Sequence, residues 1–171
     1  MQNHFDLFHL PQQFAVDAAA LDRAYHDVQN QVHPDKFTNA PDAEKRVAMQ
    51  WATRANEAYQ TLKSPLKRAS YLCELNGVAL QTESNTAMPR EFLMQQTEWR
   101  EALEDAKAGK NISALENLEA ELASARKMEL MQIGALLDAR EFSGAAQRVR
   151  KLMFLEKFGE DIGHVFEMIE A

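Results

Sequence analysis

One cysteine, Cys73, occurs in 171 residues, so the chain forms no internal disulfide and builds no Cys-rich zinc or cluster site by itself. It lies in the apolar run Tyr71-Leu72-Cys73-Glu74-Leu75, which reads as a buried thiol. Six glycines and five prolines are too few for a low-complexity chain. No stretch approaches the roughly 18 consecutive apolar residues of a membrane span. The opening Met-Gln-Asn-His-Phe-Asp lacks a basic region followed by an apolar one, so no secretory signal is expected and cytoplasm is the default. Positive charge is in deficit: 19 Lys+Arg face 26 Asp+Glu, a net charge of -7, which disfavours nonspecific nucleic-acid binding. The expected partners are proteins, with no nucleic acid and no membrane.

Catalytic signatures are also missing. There is no Gly-rich phosphate loop and no G-x-S-x-G elbow. The histidines, His4, His9, His26, His33 and His164, include no i, i+4 helical pair with a neighbouring Glu as a metalloprotease helix requires. Acidic neighbours such as Glu104-Asp105 point to different helix faces, so a solvated surface is the better reading than a carboxylate dyad. The expectation is a non-enzyme with no catalytic residue, metal or cofactor. Asn111-Ile112-Ser113 matches a glycosylation sequon, which has no consequence in a cytosolic protein.

What remains is helical patterning. Of the residues, 46% are hydrophobic and 26% charged, and no segment sustains the period-two alternation of a strand. The fold class is all-α. Helices are expected over Phe5 to Leu10, Asp17 to Val32, Asp42 to Lys63 and Pro65 or Leu66 to Leu75. Three longer ones follow over Pro89 to Lys107, Ile112 to Leu137 and Glu141 to Met168. Short connections at Gly109-Lys110-Asn111 and Asp138-Ala139-Arg140 predict antiparallel packing of the last three. Asn76-Gly77 is a helix stop, followed by the polar stretch Gln81 to Thr86. The charge divides there: residues 1–75 carry eight Lys+Arg and nine Asp+Glu, whereas residues 76–171 carry eleven and seventeen. The division predicts an N-terminal domain over 1–75, a linker over 76–88 and a C-terminal three-helix domain over 89–171.

Leu21, Tyr25, Val28 and Val32 line one helix face, and Val47, Trp51, Ala55, Ala58, Tyr59 and Leu62 line another, with Asp42 placed to cap the second helix. Between them stand His33-Pro34-Asp35-Lys36. Pro34 lacks an amide hydrogen and moves His33 out of the α region, so the first helix ends there. The tetrapeptide heads an exposed loop in a helical hairpin. It either carries function, as loops on rigid elements do, or merely ends the helix in an Asx-type turn.

On the helix from Pro89, Phe92, Trp99, Leu103 and Ala106 form the core stripe. Leu93 and Met94 fall on the opposite side with Thr97, Glu98, Arg100, Glu101, Glu104 and Asp105. Two adjacent apolar side chains ringed by charge resemble the anchor and rim of a protein interface. The last helix has a stripe through Phe142, Val149, Leu152, Leu155, Ile162, Phe166 and Ile169, which leaves Phe154 beside Arg150, Lys151 and Lys157. Phe154 either belongs to the same docking face or is covered by the bundle.

With both halves read, the first resembles a J domain, the module that recruits DnaK-type ATPases. The resemblance rests on His33-Pro34-Asp35, on Ala58-Tyr59-Gln60-Thr61-Leu62 closing the third helix, and on Pro65, Arg68-Ala69 and Tyr71-Leu72 in the fourth. Phe5-Asp6-Leu7-Phe8-His9-Leu10-Pro11 and Asn56-Glu57-Ala58-Tyr59 narrow it to HscB-type co-chaperones of iron-sulfur cluster biogenesis. Phe92-Leu93-Met94-Gln95-Gln96-Thr97-Glu98-Trp99-Arg100-Glu101 is similar to that family's scaffold-binding helix, and Lys151 to Lys157 to its final helix. The resemblance covers essentially the whole chain. It implies that His33, Pro34, Asp35 and Lys36, with Arg23, contact an HscA-type chaperone of the DnaK family. It also implies that Leu93, Met94, Thr97, Glu98, Arg100, Glu101, Glu104 and Phe154 hold an IscU-type iron-sulfur scaffold.

Two departures from the resemblance stand out. Arg23 is the one formal cation on the second helix, where general J domains carry several, so long-range attraction to an acidic ATPase surface is weak. Thr97 stands where the scaffold-binding helix usually has Leu. The zinc-binding cysteines of some eukaryotic relatives are missing, which points to a bacterial version. A general protein-folding J protein is the nearest alternative, but the Gly/Phe-rich linker or Cys-x-x-Cys repeats usual in such proteins do not occur.

Overall fold

The computed structural model describes residues 2–80 and 88–171. Among these every regular element is helical: α1 His4–Leu7, α2 Ala18–Val32, a single 3-10 turn Pro34–Phe37, α3 Asp42–Lys63, α4 Pro65–Leu75, α5 Arg90–Ala108, α6 Ile112–Asp138 and α7 Phe142–Glu170. The chain divides into two compact units, Met1–Asn76 and Gly77–Ala171. Most of the expected polar linker, residues 81–87, lies outside the described residues.

In the first unit α2 and α3 form an antiparallel hairpin whose register is fixed by polar and aromatic pairs. Tyr59 donates its hydroxyl to Asp22 at 2.8 Å and stacks on Tyr25 with ring centroids 4.1 Å apart. Tyr25 in turn donates to Asn56 at 3.2 Å. The core below consists of Phe5, Leu21, Ala55, Ala58, Leu62, Ala69 and Cys73, all essentially inaccessible. Asp17 caps α2 and Ser64 caps α4, each accepting a backbone N–H of its first turn. Asn76 ends α4, and Gly77 takes the positive φ of 81° that the stop requires.

Three expectations need correction. Asp42 is the first residue of α3 and makes no capping bond; Pro41 occupies the cap position. The first helix stops at Leu7, not Leu10, because His9 adopts φ 54° and closes a Schellman motif, with Leu10 N–H donating to Phe5 O and His9 N–H to Asp6 O. Finally, Val47 and Trp51 are not core: they are 51% and 37% exposed. Their stripe is continuous with Ala55, Ala58 and Leu62, but α1 is only four residues long and covers the base of the hairpin alone.

In the second unit α6 and α7 pack antiparallel over their length and α5 lies against both. Phe92, Trp99, Leu103 and Ala106 are buried, as their spacing predicts, and Trp99 stacks on Phe158 at 5.7 Å. The α5–α6 and α6–α7 connections are two further Schellman motifs. Their left-handed positions fall on Lys110 (φ 50°) and Arg140 (φ 60°), with the 6→1 bonds Asn111 N–H to Ala106 O and Glu141 N–H to Leu136 O. Gly109, one residue before the left-handed position, has φ -85°.

Candidate functional site

The tip of the α2–α3 hairpin is built by a proline between two helices. Pro34 opens the 3-10 turn, and His33, in an extended conformation (φ -58°, ψ 135°), caps it. The His33 Nδ1 accepts the Asp35 N–H at 3.2 Å, and Lys36 N–H donates to His33 O at 3.0 Å. Asp35 O is taken by the Thr38 hydroxyl at 3.0 Å. Asp35 Oδ2 stands 3.6 Å from the same Nδ1, but a nitrogen that accepts the N–H cannot simultaneously donate to the carboxylate. The Asp35 side chain is 91% exposed and that of His33 57%. The turn is thus a hydrogen-bonded frame that presents an exposed carboxylate. His33, Pro34, Asp35 and Lys36 are all exposed, as expected of the loop, and Arg23 on α2 is exposed too. The sequence did not reveal that the His33 side chain itself caps the turn.

The other candidate face lies on α5 and α7. Leu93 and Met94 are 47% and 54% exposed, which places them on the outer side of α5, opposite the buried Phe92 and Trp99. Thr97, Glu98, Arg100, Glu101 and Glu104 are exposed on the same helix. The Thr97 hydroxyl is turned back onto Leu93 O at 3.1 Å, leaving its methyl as the only apolar surface it offers. Phe154 takes a middle course between the two readings left open. It is half-buried, edge-on to Phe92 at 5.5 Å and stacked on Phe158 at 5.8 Å, with the Arg100 guanidinium 5.6 Å over its ring. Phe92 and Phe154 thereby tie α5 to α7, and Lys151 Nζ lies 5.6 Å over the Phe92 ring. A single-helix wheel has no signal for Phe92 and Lys151 as supports, because their roles depend on how α5 meets α7. The arrangement suits protein docking: apolar anchors on a rigid aromatic base, with carboxylates along one helix.

Among the described residues no group of three or more His, Cys, Asp or Glu is placed to hold a metal ion. No described helix is long and apolar enough to cross a membrane.

Known proteins match this chain along its length. Residues 3–71 match the DnaJ domain family, and residues 88–163 match the HSCB C-terminal oligomerisation domain family. A Burkholderia mallei protein named Co-chaperone protein HscB homolog is 58% identical over 168 residues, spanning 98% of this chain and 96% of that protein. Among solved structures, chaperone HscB from Vibrio cholerae superposes with a TM-score of 0.87 at 36% identity, covering 98% of this chain and 99% of that one. The human co-chaperone protein HscB gives a TM-score of 0.91 at 27% identity, covering 100% of this chain and 84% of that one.

Proposed function

Because this chain belongs to the HscB family of J-domain co-chaperones, we propose that it binds an IscU-type iron-sulfur scaffold and delivers it to an HscA-type chaperone of the DnaK family, whose ATPase it stimulates. By this reading it assists the maturation of iron-sulfur proteins in the bacterial cytoplasm, with a J domain over 1–75 and a scaffold-binding domain over 89–171.

What supports the reading is the presence, on one chain, of two exposed surfaces of different chemistry. One is the carboxylate of Asp35 on a capped turn; the other is the Leu93/Met94 pair on α5. Asp35 is suited to a charge-assisted bond with a basic residue of the ATPase. Pro34 and the His33 cap fix its presentation before docking, which lowers the ordering cost. The turn supplies no chemistry. It acts by binding the hydrolysis-committed state of the ATPase better than the others, and that differential affinity is the whole of the stimulation.

Leu93, Met94 and the exposed half of Phe154 provide the apolar contact with the scaffold, and Glu98, Arg100, Glu101 and Glu104 provide its charged rim. A protein engaging scaffold and ATPase together raises the local concentration of client at the chaperone to roughly the millimolar range.

The test is a pull-down with purified scaffold, comparing the wild type with Leu93→Ala/Met94→Ala. Both residues are about half exposed, so the double change leaves helicity intact while weakening capture. Undiminished capture would remove the scaffold from this face.

A further inference from the structure

The hairpin of the first unit has an unfinished core. Between α2, the connection after α1, and α3 lies a cleft of about 660 Å³, walled by Leu10, Arg23, Val28, Val32 and Trp51 among others. Leu10, Val28 and Val32 are only half-buried and Trp51 is 37% exposed, although the helical spacing of Val28, Val32 and Trp51 marks them as core positions. Part of their apolar surface stays uncovered, and on Trp51 the ring contact is the Arg54 guanidinium at 5.5 Å. A tryptophan 37% exposed among half-buried apolar neighbours is surface that a docking partner would take out of water.

We propose that this cleft is a second seat for the HscA-type chaperone, receiving an apolar side chain of that protein when it engages the His33–Lys36 turn; the inference rests on the reading of that partner above. Continuity is the first argument. Val32 lines the cleft and the next residue, His33, caps the turn, so the cleft wall runs directly into the turn that presents Asp35. Charge is the second. Arg23 and Asp27 share the cleft wall, one cation and one anion, and Arg23 is the one formal cation of α2. A helix so poor in positive charge draws its affinity from apolar contact rather than from steering. The segment Gln81 to Thr86 of this chain is too polar to be the occupant.

The two tryptophans make the test direct. Trp99 is buried in the second unit against Phe158, so Trp99→Phe leaves Trp51 as this chain's one tryptophan, read as the difference from the same mixture with Trp51→Phe/Trp99→Phe. Adding purified HscA-type chaperone with ATP to the Trp99→Phe protein shifts Trp51 emission to shorter wavelength and lowers its acrylamide quenching about twofold, as expected for a side chain moved out of water. Trp51→Ala, and separately Ala24→Leu, which fills the cleft from α2 without removing core, each weaken chaperone affinity about tenfold and leave scaffold affinity unchanged. Unchanged Trp51 emission and quenching while the ATPase is stimulated would overturn the cleft assignment and leave the co-chaperone reading standing. Failure of the wild type to stimulate the ATPase at all would sink that reading instead. A blue shift on concentrating the chain alone would identify a second copy as the occupant and equally overturn the proposal.

Discussion

His33 secures Asp35 from the backbone side: the imidazole Nδ1 accepts the Asp35 N–H at 3.2 Å, and the carboxylate itself is left 91% exposed. Frame and contact group are therefore separate. Asp35→Asn removes the charge and keeps the frame, so stimulation of the chaperone ATPase is abolished while circular dichroism and scaffold affinity remain as in the wild type. His33→Gln loosens the frame and abolishes stimulation as well. Unfolding of either variant would make the turn a structural element and not a docking element.

Thr97 offers a gain of binding. Its hydroxyl is bonded to Leu93 O, and the position sits among the exposed residues of α5 beside the Leu93/Met94 pair. Thr97→Leu adds an apolar anchor and a better helix former, so scaffold affinity measured by calorimetry rises several-fold, on the order of 1 kcal/mol. An unchanged affinity would place the contact elsewhere on the helix.

The α5–α6 connection stores removable strain. Lys110 holds φ 50°, which costs a residue with a Cβ roughly 1 kcal/mol, whereas Gly109 spends its freedom on a right-handed φ of -85°. Lys110→Gly should therefore stabilise the protein by about 0.5–1 kcal/mol in denaturant unfolding, without altering either binding activity.

His4 gives the first unit a pH dependence. Its ring stacks on Tyr71 at 4.4 Å, and its backbone N–H donates to the Tyr71 hydroxyl at 2.9 Å. Burial is the leading cause of a pKa held below the ordinary 6.5; Arg54 acts in the same direction and Glu57 opposes it. The folded state thus binds fewer protons than the unfolded chain. The stability this contributes is present above about pH 6.5 and is lost as the pH falls from there through the folded pKa. Urea midpoints of the wild type should decline as the pH falls below about 6.5, and His4→Gln should flatten that part of the curve.

Much of this was legible from residue order. Helical spacing located α2 through α7 because each buries one regular stripe, and the Leu93/Met94 pair stood out because it broke the stripe through Phe92 and Trp99. The same logic failed for Val47 and Trp51. Periodicity reports which face is apolar, not whether a neighbour is long enough to cover it, and α1 is not. The early end of α1 has no glycine to signal it, because a histidine takes the left-handed position. Phe154 stayed undecided because its half-burial is set by Phe92 and Phe158 across the α5–α7 contact.

By the proposed function, one chain couples scaffold capture to ATPase stimulation. Single-turnover ATP hydrolysis by the purified HscA-type chaperone tests it, measured with scaffold alone, with this protein alone, and with both. Acceleration by both together that exceeds the product of the separate effects, and that disappears with either Asp35→Asn or Leu93→Ala/Met94→Ala, is the predicted result. Separate effects that merely multiply, unaltered by the α5 substitutions, would contradict the coupling.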